Sequence, residues 1–114
     1  MKTRIKIYVA GPYSGSNILE ILENIKRGNK TAAELIKKGF AAFSPFLDYQ
    51  YSFFEDLTIE DYQEFSIAFL PICEGILVLP GWRKSKGTRK EIDLASDLGI
   101  PIFYSKKDLY DWFK

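Results

Sequence analysis

The chain has 114 residues, 46% hydrophobic and 16% aromatic, with 16 lysines and arginines against 15 acidic residues. This length predicts one domain, residues 1–114, able to bury a core without staples, and the charge balance argues against a nucleic-acid polymer as partner, which asks for a clear basic excess. Apolar runs fall far short of the roughly 18 residues of a membrane span, and no signal-peptide pattern precedes the first apolar run, so a cytoplasmic protein with no membrane partner is expected.

Residues 4–10 alternate Ile5, Ile7 and Val9 with Lys6, Tyr8 and Ala10, the pattern of a strand. A turn-rich loop, Gly11 to Asn17, follows. From about Ile18 to Lys38 apolar residues recur near every 3.6 positions, which predicts a long helix, interrupted at Gly28-Asn29 and stopped at Gly39. Residues 40–43 predict a short strand ended by Ser44-Pro45. Residues 46–57 are crowded with aromatics but have no clean period. They read as a packed loop or broken helix, or alternatively as a pocket wall or subunit interface. Thr58 with Asp61 caps a helix to about Leu70, with Tyr62, Phe65 and Phe69 on one face and Pro71 as its stop. Gly75 to Leu79 is a strand buried on both faces. A second loop, residues 80–87, leads into a helix from Thr88 to Leu98. Residues 101–104 predict a last strand, and Ser105 caps a helix to about Phe113. Strands alternating with helices imply an α/β domain: a parallel sheet of four to five strands with helices on both faces.

The sequence holds no histidine and one cysteine, Cys73. Imidazole bases, histidine-based zinc sites and intrachain disulfides are therefore excluded. No metal or cofactor is expected, and chemistry falls to carboxylates, hydroxyls, Tyr, Lys and Arg. Ligands of parallel sheets bind beyond the carboxyl ends of the strands, where two loops stand out. The first, Gly11-Pro12-Tyr13-Ser14-Gly15-Ser16, is neither a P-loop nor a dinucleotide fingerprint. Its small residues could let backbone N–H groups reach an anion, or it is an ordinary turn capped by Ser16 or Asn17. The second, Trp82 to Thr88, carries Arg83, Lys84 and Lys86 with two hydroxyls, which suits phosphate or a solvated turn equally. Glu91 has two readings as well: a carboxylate aimed at the crevice, or the far end of a Thr88-x-x-Glu91 capping box.

Tyr8-Val9-Ala10-Gly11-Pro12-Tyr13-Ser14-Gly15, followed by Leu79-Pro80-Gly81-Trp82, Ser85-x-Gly87-Thr88-x-x-Glu91 and Leu98-Gly99-Ile100-Pro101-Ile102, resembles the nucleoside 2-deoxyribosyltransferase superfamily over nearly the whole chain. The short phage- and prokaryote-type branch is nearest, with 2′-deoxynucleoside 5′-phosphate N-hydrolases among its relatives. The resemblance implies a flavodoxin-like three-layer fold that cleaves or transfers at the N-glycosidic bond of a nucleoside or its 5′-monophosphate. It implies Glu91 as nucleophile, Tyr8 as its orienter, and substrate contacts at Gly11, Pro12, Tyr13, Ser14, Ser16, Trp82, Ser85 and Gly87, to which charge adds Arg83 or Lys86. It further implies a homodimer or larger homo-oligomer, in keeping with the aromatic segment 46–57. One departure stands out: Ser66 occupies the place of the family's proton-handling aspartate, and a serine hydroxyl cannot donate a proton as a carboxylic acid does. Asp48 is the first substitute, with Asp61 and Glu64 as others. An inactive nucleotide-binding module of the same fold is the alternative.

Overall fold

Alternate residues of the two central strands go to opposite faces of one sheet, and that alternation builds the molecule. The computed structural model describes residues 3–114, apart from the side chains of residues 47–50. In chain order it contains β1 (Lys6–Ala10), α1 (Ile18–Lys37), β2 (Ala41–Phe43), α2 (Ile59–Ile67), β3 (Gly75–Val78), α3 (Lys86–Asp97), β4 (Ile102–Phe103) and α4 (Lys106–Trp112), with 3-10 segments at Pro45–Phe53, Leu70–Ile72 and Trp82–Lys84. The sheet has four strands in the order β2-β1-β3-β4. All are parallel, with Tyr8 opposite Phe43 on one side and Ile76 on the other.

Ile7 and Val9 of β1, with Leu77 and Leu79, join Ile25, Ala32 and Leu35 of α1 and Leu109 of α4 in one core. Tyr8 and Ala10, with Ile76 and Val78, face the other way and pack with Leu70 and with Ala95 of α3. Helices thus cover both faces, as the alternation of elements predicts. Burying an aliphatic side chain this fully contributes about 1.5–3 kcal/mol, and this doubled core makes the four short strands sufficient.

Helix ends follow their side-chain caps. Asn17 accepts from the Glu20 N–H and opens α1. Thr58 and Asp61 form a reciprocal capping box at α2, and Ser105 accepts from the Asp108 N–H at α4. Three expectations need correction. Thr88 does not cap α3: Ser85 does, accepting from the Thr88 N–H, so the helix begins earlier and Glu91 falls in its second turn. α2 ends at Ile67, with Ala68 as cap, and Pro71 lies within the following 3-10 segment. Tyr62 also parts from Phe65 and Phe69: those two rings pack edge to face at 5.2 Å, with Phe69 stacked on Phe43, whereas Tyr62 turns toward a cavity.

Nor does Gly28 interrupt α1, which runs on through it. A Cβ at Gly28 would lie 2.2 Å from the Phe46 ring, so the glycine is where the segment after β2 packs against the helix. Alanine ordinarily stabilises a helix interior by about 0.5–1 kcal/mol over glycine, but overpacking costs about 1–3 kcal/mol. Gly28→Ala should therefore lower unfolding stability in urea titrations. In a Phe46→Ala background the same change should be neutral or stabilising, whereas an equal loss in both backgrounds would rule out the steric account.

Candidate active site

Pairing β1 with both β2 and β3 places the reversal of strand order beside the carboxyl end of β1, where open α/β sheets take their ligands. A cavity of about 390 Å³ lies there. Its walls come from the loop after β1 (Gly11 to Ser14), the turn after β2 (Pro45, Phe46), one face of α2, and the loop and first turns after β3. The β1 and β3 loops meet closely. A Cβ on Gly11 would lie 2.9 Å from the Leu79 side chain, and one on Gly81 would lie 3.3 Å from Pro12. Gly81 also has φ +88°, a left-handed conformation that glycine adopts without strain. Tyr13 stacks on Phe46 with ring centroids 6.5 Å apart, forming an aromatic wall.

Glu91 lines this cavity. It is not spent on capping, because Ser85 takes that part, accepting from Thr88 N–H at 3.2 Å and Thr88 Oγ1–H at 2.8 Å. The Tyr8 hydroxyl, carried across from the same face of the sheet, lies beside the Glu91 carboxyl and favours its charged form. Withdrawal from water pushes that carboxyl up to about 7, and the Tyr8 hydroxyl pulls it partly back. Desolvation penalises the charged form while a hydrogen bond to the carboxylate favours it. Tyr8 itself is fully buried.

The expected contacts divide. Gly11, Pro12, Tyr13, Ser14, Ser85 and Gly87 line the cavity together with Glu91. Ser16 and Trp82 do not. Ser16 donates from both its N–H and its Oγ to the Glu20 carboxylate, at 2.7 and 2.8 Å. Trp82 packs on Tyr104 at 5.4 Å, with the Arg83 guanidinium over its ring at 4.9 Å. Arg83 is thereby drawn away while Lys86 stays in the wall. Ser66 is buried and lines the cavity. Asp61 is held by its capping box, accepting from the Thr58 N–H at 2.9 Å, and neither it nor Glu64 lines the cavity. The Asp48 side chain lies outside the described residues.

Sequence reading missed Ile59, Tyr62, Gln63 and Ile67, which turn one face of α2 toward the cavity. Their spacing with Ser66, at i, i+3, i+4, i+7 and i+8, was a readable helical stripe, but the heavier aromatics Phe65 and Phe69 masked it. Lys90 was also missed, while Lys84, read only as one of the loop's cations, lines the cavity as well. Among the described residues, no group of three His, Cys, Asp or Glu side chains could hold a metal, and no helix is long and apolar enough to cross a membrane.

These features define an α/β domain with a carboxylate-bearing cavity at its strand-order reversal. The family model for a domain of unknown function, DUF4406, matches residues 5–104, and the chain belongs to that family. No curated protein sequence matches it. Among solved structures, a 2-deoxyribosyltransferase from the psychrotolerant bacterium Bacillus psychrosaccharolyticus is similar, with 20% identity and a TM-score of 0.58 over 85% of this chain and 69% of that one. The similarity shows a deoxyribosyltransferase-like fold.

The raised Glu91 carboxyl links stability to pH. In the folded chain it keeps its proton up to about pH 7; unfolded, it loses it near 4.5. Stability from this group is fully present below about pH 4.5 and falls as pH rises toward 7, by up to about 3 kcal/mol. Glu91→Gln, a neutral isostere, should therefore be more stable than the parent at pH 8 and equal to it at pH 4, measured by urea unfolding. Equal stability at pH 8 would show that the carboxyl is not desolvated.

Proposed function

We propose that the protein cleaves or transfers at the N-glycosidic bond of a 2′-deoxynucleoside or its 5′-monophosphate, with Glu91 as nucleophile. The observation that carries this reading is a carboxyl free of helix capping that faces a cavity of about 390 Å³ with the Tyr8 hydroxyl beside it. The similar fold of a 2-deoxyribosyltransferase supports it. In this mechanism a Glu91 oxygen attacks the anomeric carbon as the carbon–nitrogen bond breaks, and the base leaves with the bonding pair. The transition state resembles an oxocarbenium ion, whose positive charge a carboxylate stabilises and then bonds. Water or a second base displaces Glu91 and restores its carboxylate. The Tyr13–Phe46 wall offers a flat apolar surface for a nucleobase.

Leaving-group protonation is the weak point of the site. Ser66 stands where a carboxylic acid is expected, and general-acid help is typically worth about 10²–10⁴-fold. This observation favours a second reading, a nucleotide-binding module without turnover. Calorimetry with intact nucleotide separates the two, since the second reading gives binding without product.

Chromatography of reactions with a panel of deoxynucleosides and their monophosphates should detect free base, and Glu91→Ala should abolish its release. No release from any of them, or equal release by the variant, ends the enzymatic reading. Because the nucleophile must be ionised, kcat/KM should rise as pH increases through about 7. Tyr8→Phe removes the hydroxyl that favours the carboxylate, so it should move that midpoint to higher pH; an unchanged midpoint would remove Tyr8 from its orienting part.

A homo-oligomer belongs to this reading. Tyr51, Phe53, Phe54, Ile59 and Phe65 are all exposed, and an apolar surface of this kind is characteristic of an interface. Light scattering should give a mass of two or more chains, falling to one in a Phe53→Ser/Phe54→Ser variant. A monomer at all concentrations would overturn the assignment.

A further inference from the structure

Glu91 is the only carboxylate among the described residues that line the cavity, so a nucleophile there faces no carboxylic acid. Asp61 is held in its capping box, and Ser66 offers only an alkyl hydroxyl. One helical turn before Ser66, on the same face of α2, stands Tyr62, half-buried and also in the cavity wall. A phenol is a far stronger acid than an alkyl hydroxyl and belongs to the side chains that serve as general acids.

Its contacts say which end of the cavity this hydroxyl serves. Tyr62 Oη and Ser52 Oγ share a hydrogen bond, and Ser52 belongs to the 3-10 segment Pro45–Phe53, which also carries Phe46. Next to Ser52, Tyr51 meets Phe65 edge to face at 6.1 Å. α2 is thus tied to the Phe46 segment, with the Tyr62 hydroxyl on that side. Gln63 goes the other way: a Cβ on Gly87 would lie 3.2 Å from Gln63 Nε2, so Gln63 reaches the first turn of α3. The cations of the wall, Lys84, Lys86 and Lys90, belong to α3 and the turn before it. Tyr13 stacks on Phe46, and a hydroxyl in the plane of its ring does not meet a base lying on the ring's face. Either partner of the Ser52–Tyr62 bond can be the donor. When Ser52 donates, the Tyr62 oxygen accepts, and its own proton can point at a ligand.

We infer that Tyr62 is the acid of this site and gives its hydroxyl proton to the departing base. This rests on the reading of the cavity as a nucleoside site and supplies the group which that reading lacks. As the carbon–nitrogen bond breaks, its electron pair goes to the base and the Tyr62 proton goes to a ring nitrogen, so the base departs neutral. Tyr62 is left as a phenolate that accepts from the Ser52 hydroxyl, and a bond to a charged acceptor is stronger than a neutral one. In the second step water gives a proton to the phenolate while its oxygen bonds the anomeric carbon. The bond from Glu91 to that carbon breaks, and its pair returns to the carboxylate. One side chain acts first as acid and then as base, as in other glycoside-cleaving sites with a covalent intermediate.

Paired purine probes test this, each a 2′-deoxynucleoside or its 5′-monophosphate with and without a methyl group on N7. The methylated base already carries a positive charge, so it leaves neutral and needs no proton. Tyr62→Phe keeps the ring and removes the hydroxyl. With uncatalysed release subtracted, it should lower kcat/KM for the unmethylated probe by about 10²-fold or more, and for the methylated probe by less than about threefold. Asp48→Asn should lower neither beyond that smaller range. An equal loss on both probes would make Tyr62 a structural residue. No loss on either, or a loss confined to the unmethylated probe in Asp48→Asn, would place the acid elsewhere. Release of the methylated base alone by the parent would show a working Glu91 with no acid to help it. Each of these results overturns the assignment and leaves the nucleoside reading standing. Release from none of the purine probes would overturn it too, and pyrimidine deoxynucleosides then show whether the nucleoside reading falls with it.

Discussion

A carboxyl group drawn out of water beside a tyrosine hydroxyl is the contact on which the rest of this site depends. The alternation of β1 sends Tyr8 to the α3 face, and parallel pairing with β3 brings α3 over that same face. Glu91, in the second turn of α3, then meets the tyrosine at the edge of the cavity. Burial alone would leave the group protonated well above its usual range. The Tyr8 hydroxyl offsets part of that penalty and holds the carboxyl near 7, where both protonation states are accessible at neutral pH.

The contact exists because another residue does the structural work. A carboxylate at the start of α3 would be drawn into capping it, as Glu20 is drawn to the loop before α1 and Asp61 to the start of α2. Ser85 caps α3 instead, and Thr88 donates to Ser85 from both its amide and its hydroxyl. Glu91 is left facing the cavity with the Tyr8 hydroxyl beside its carboxyl. Gly11 packs closely against Leu79 and Gly81 against Pro12, so the β1 and β3 loops meet beside the cavity.

Much of this was legible in the residues. Strand alternation at 4–10 and the continuous apolar run at 75–79 each placed a strand correctly, because one face pattern or full burial dominates there. Caps at Thr58 and Ser105 were readable because a hydroxyl precedes the helix by three residues from an acid. The same rule misled at Thr88. Ser85 offered an equally good cap one turn earlier, and a linear pattern does not show which hydroxyl the chain geometry selects. Gly28 read as an interruption because its reason, the Phe46 ring, comes from a residue 18 positions away. The cavity face of α2 was hidden for a related cause. Its polar members Gln63 and Ser66 carry no hydrophobic signal, and Phe65 and Phe69 pull the apparent stripe toward the β2 side. The resemblance implied Trp82 as a ligand contact and charge added Arg83, yet Arg83 sits over the Trp82 ring and Trp82 packs on Tyr104.

Fold similarity to a 2-deoxyribosyltransferase at 20% identity sets the frame, and the chemistry rests on whether Glu91 bonds a sugar. The most direct measurement is covalent trapping with a 2′-fluoro-arabino nucleoside or nucleotide, whose fluorine destabilises the oxocarbenium-like transition state and slows release of the intermediate. Intact-protein and peptide mass spectrometry should then find one added sugar on the peptide containing Glu91, and none in Glu91→Ala. An unmodified protein, or a sugar carried by any other residue, would contradict the account.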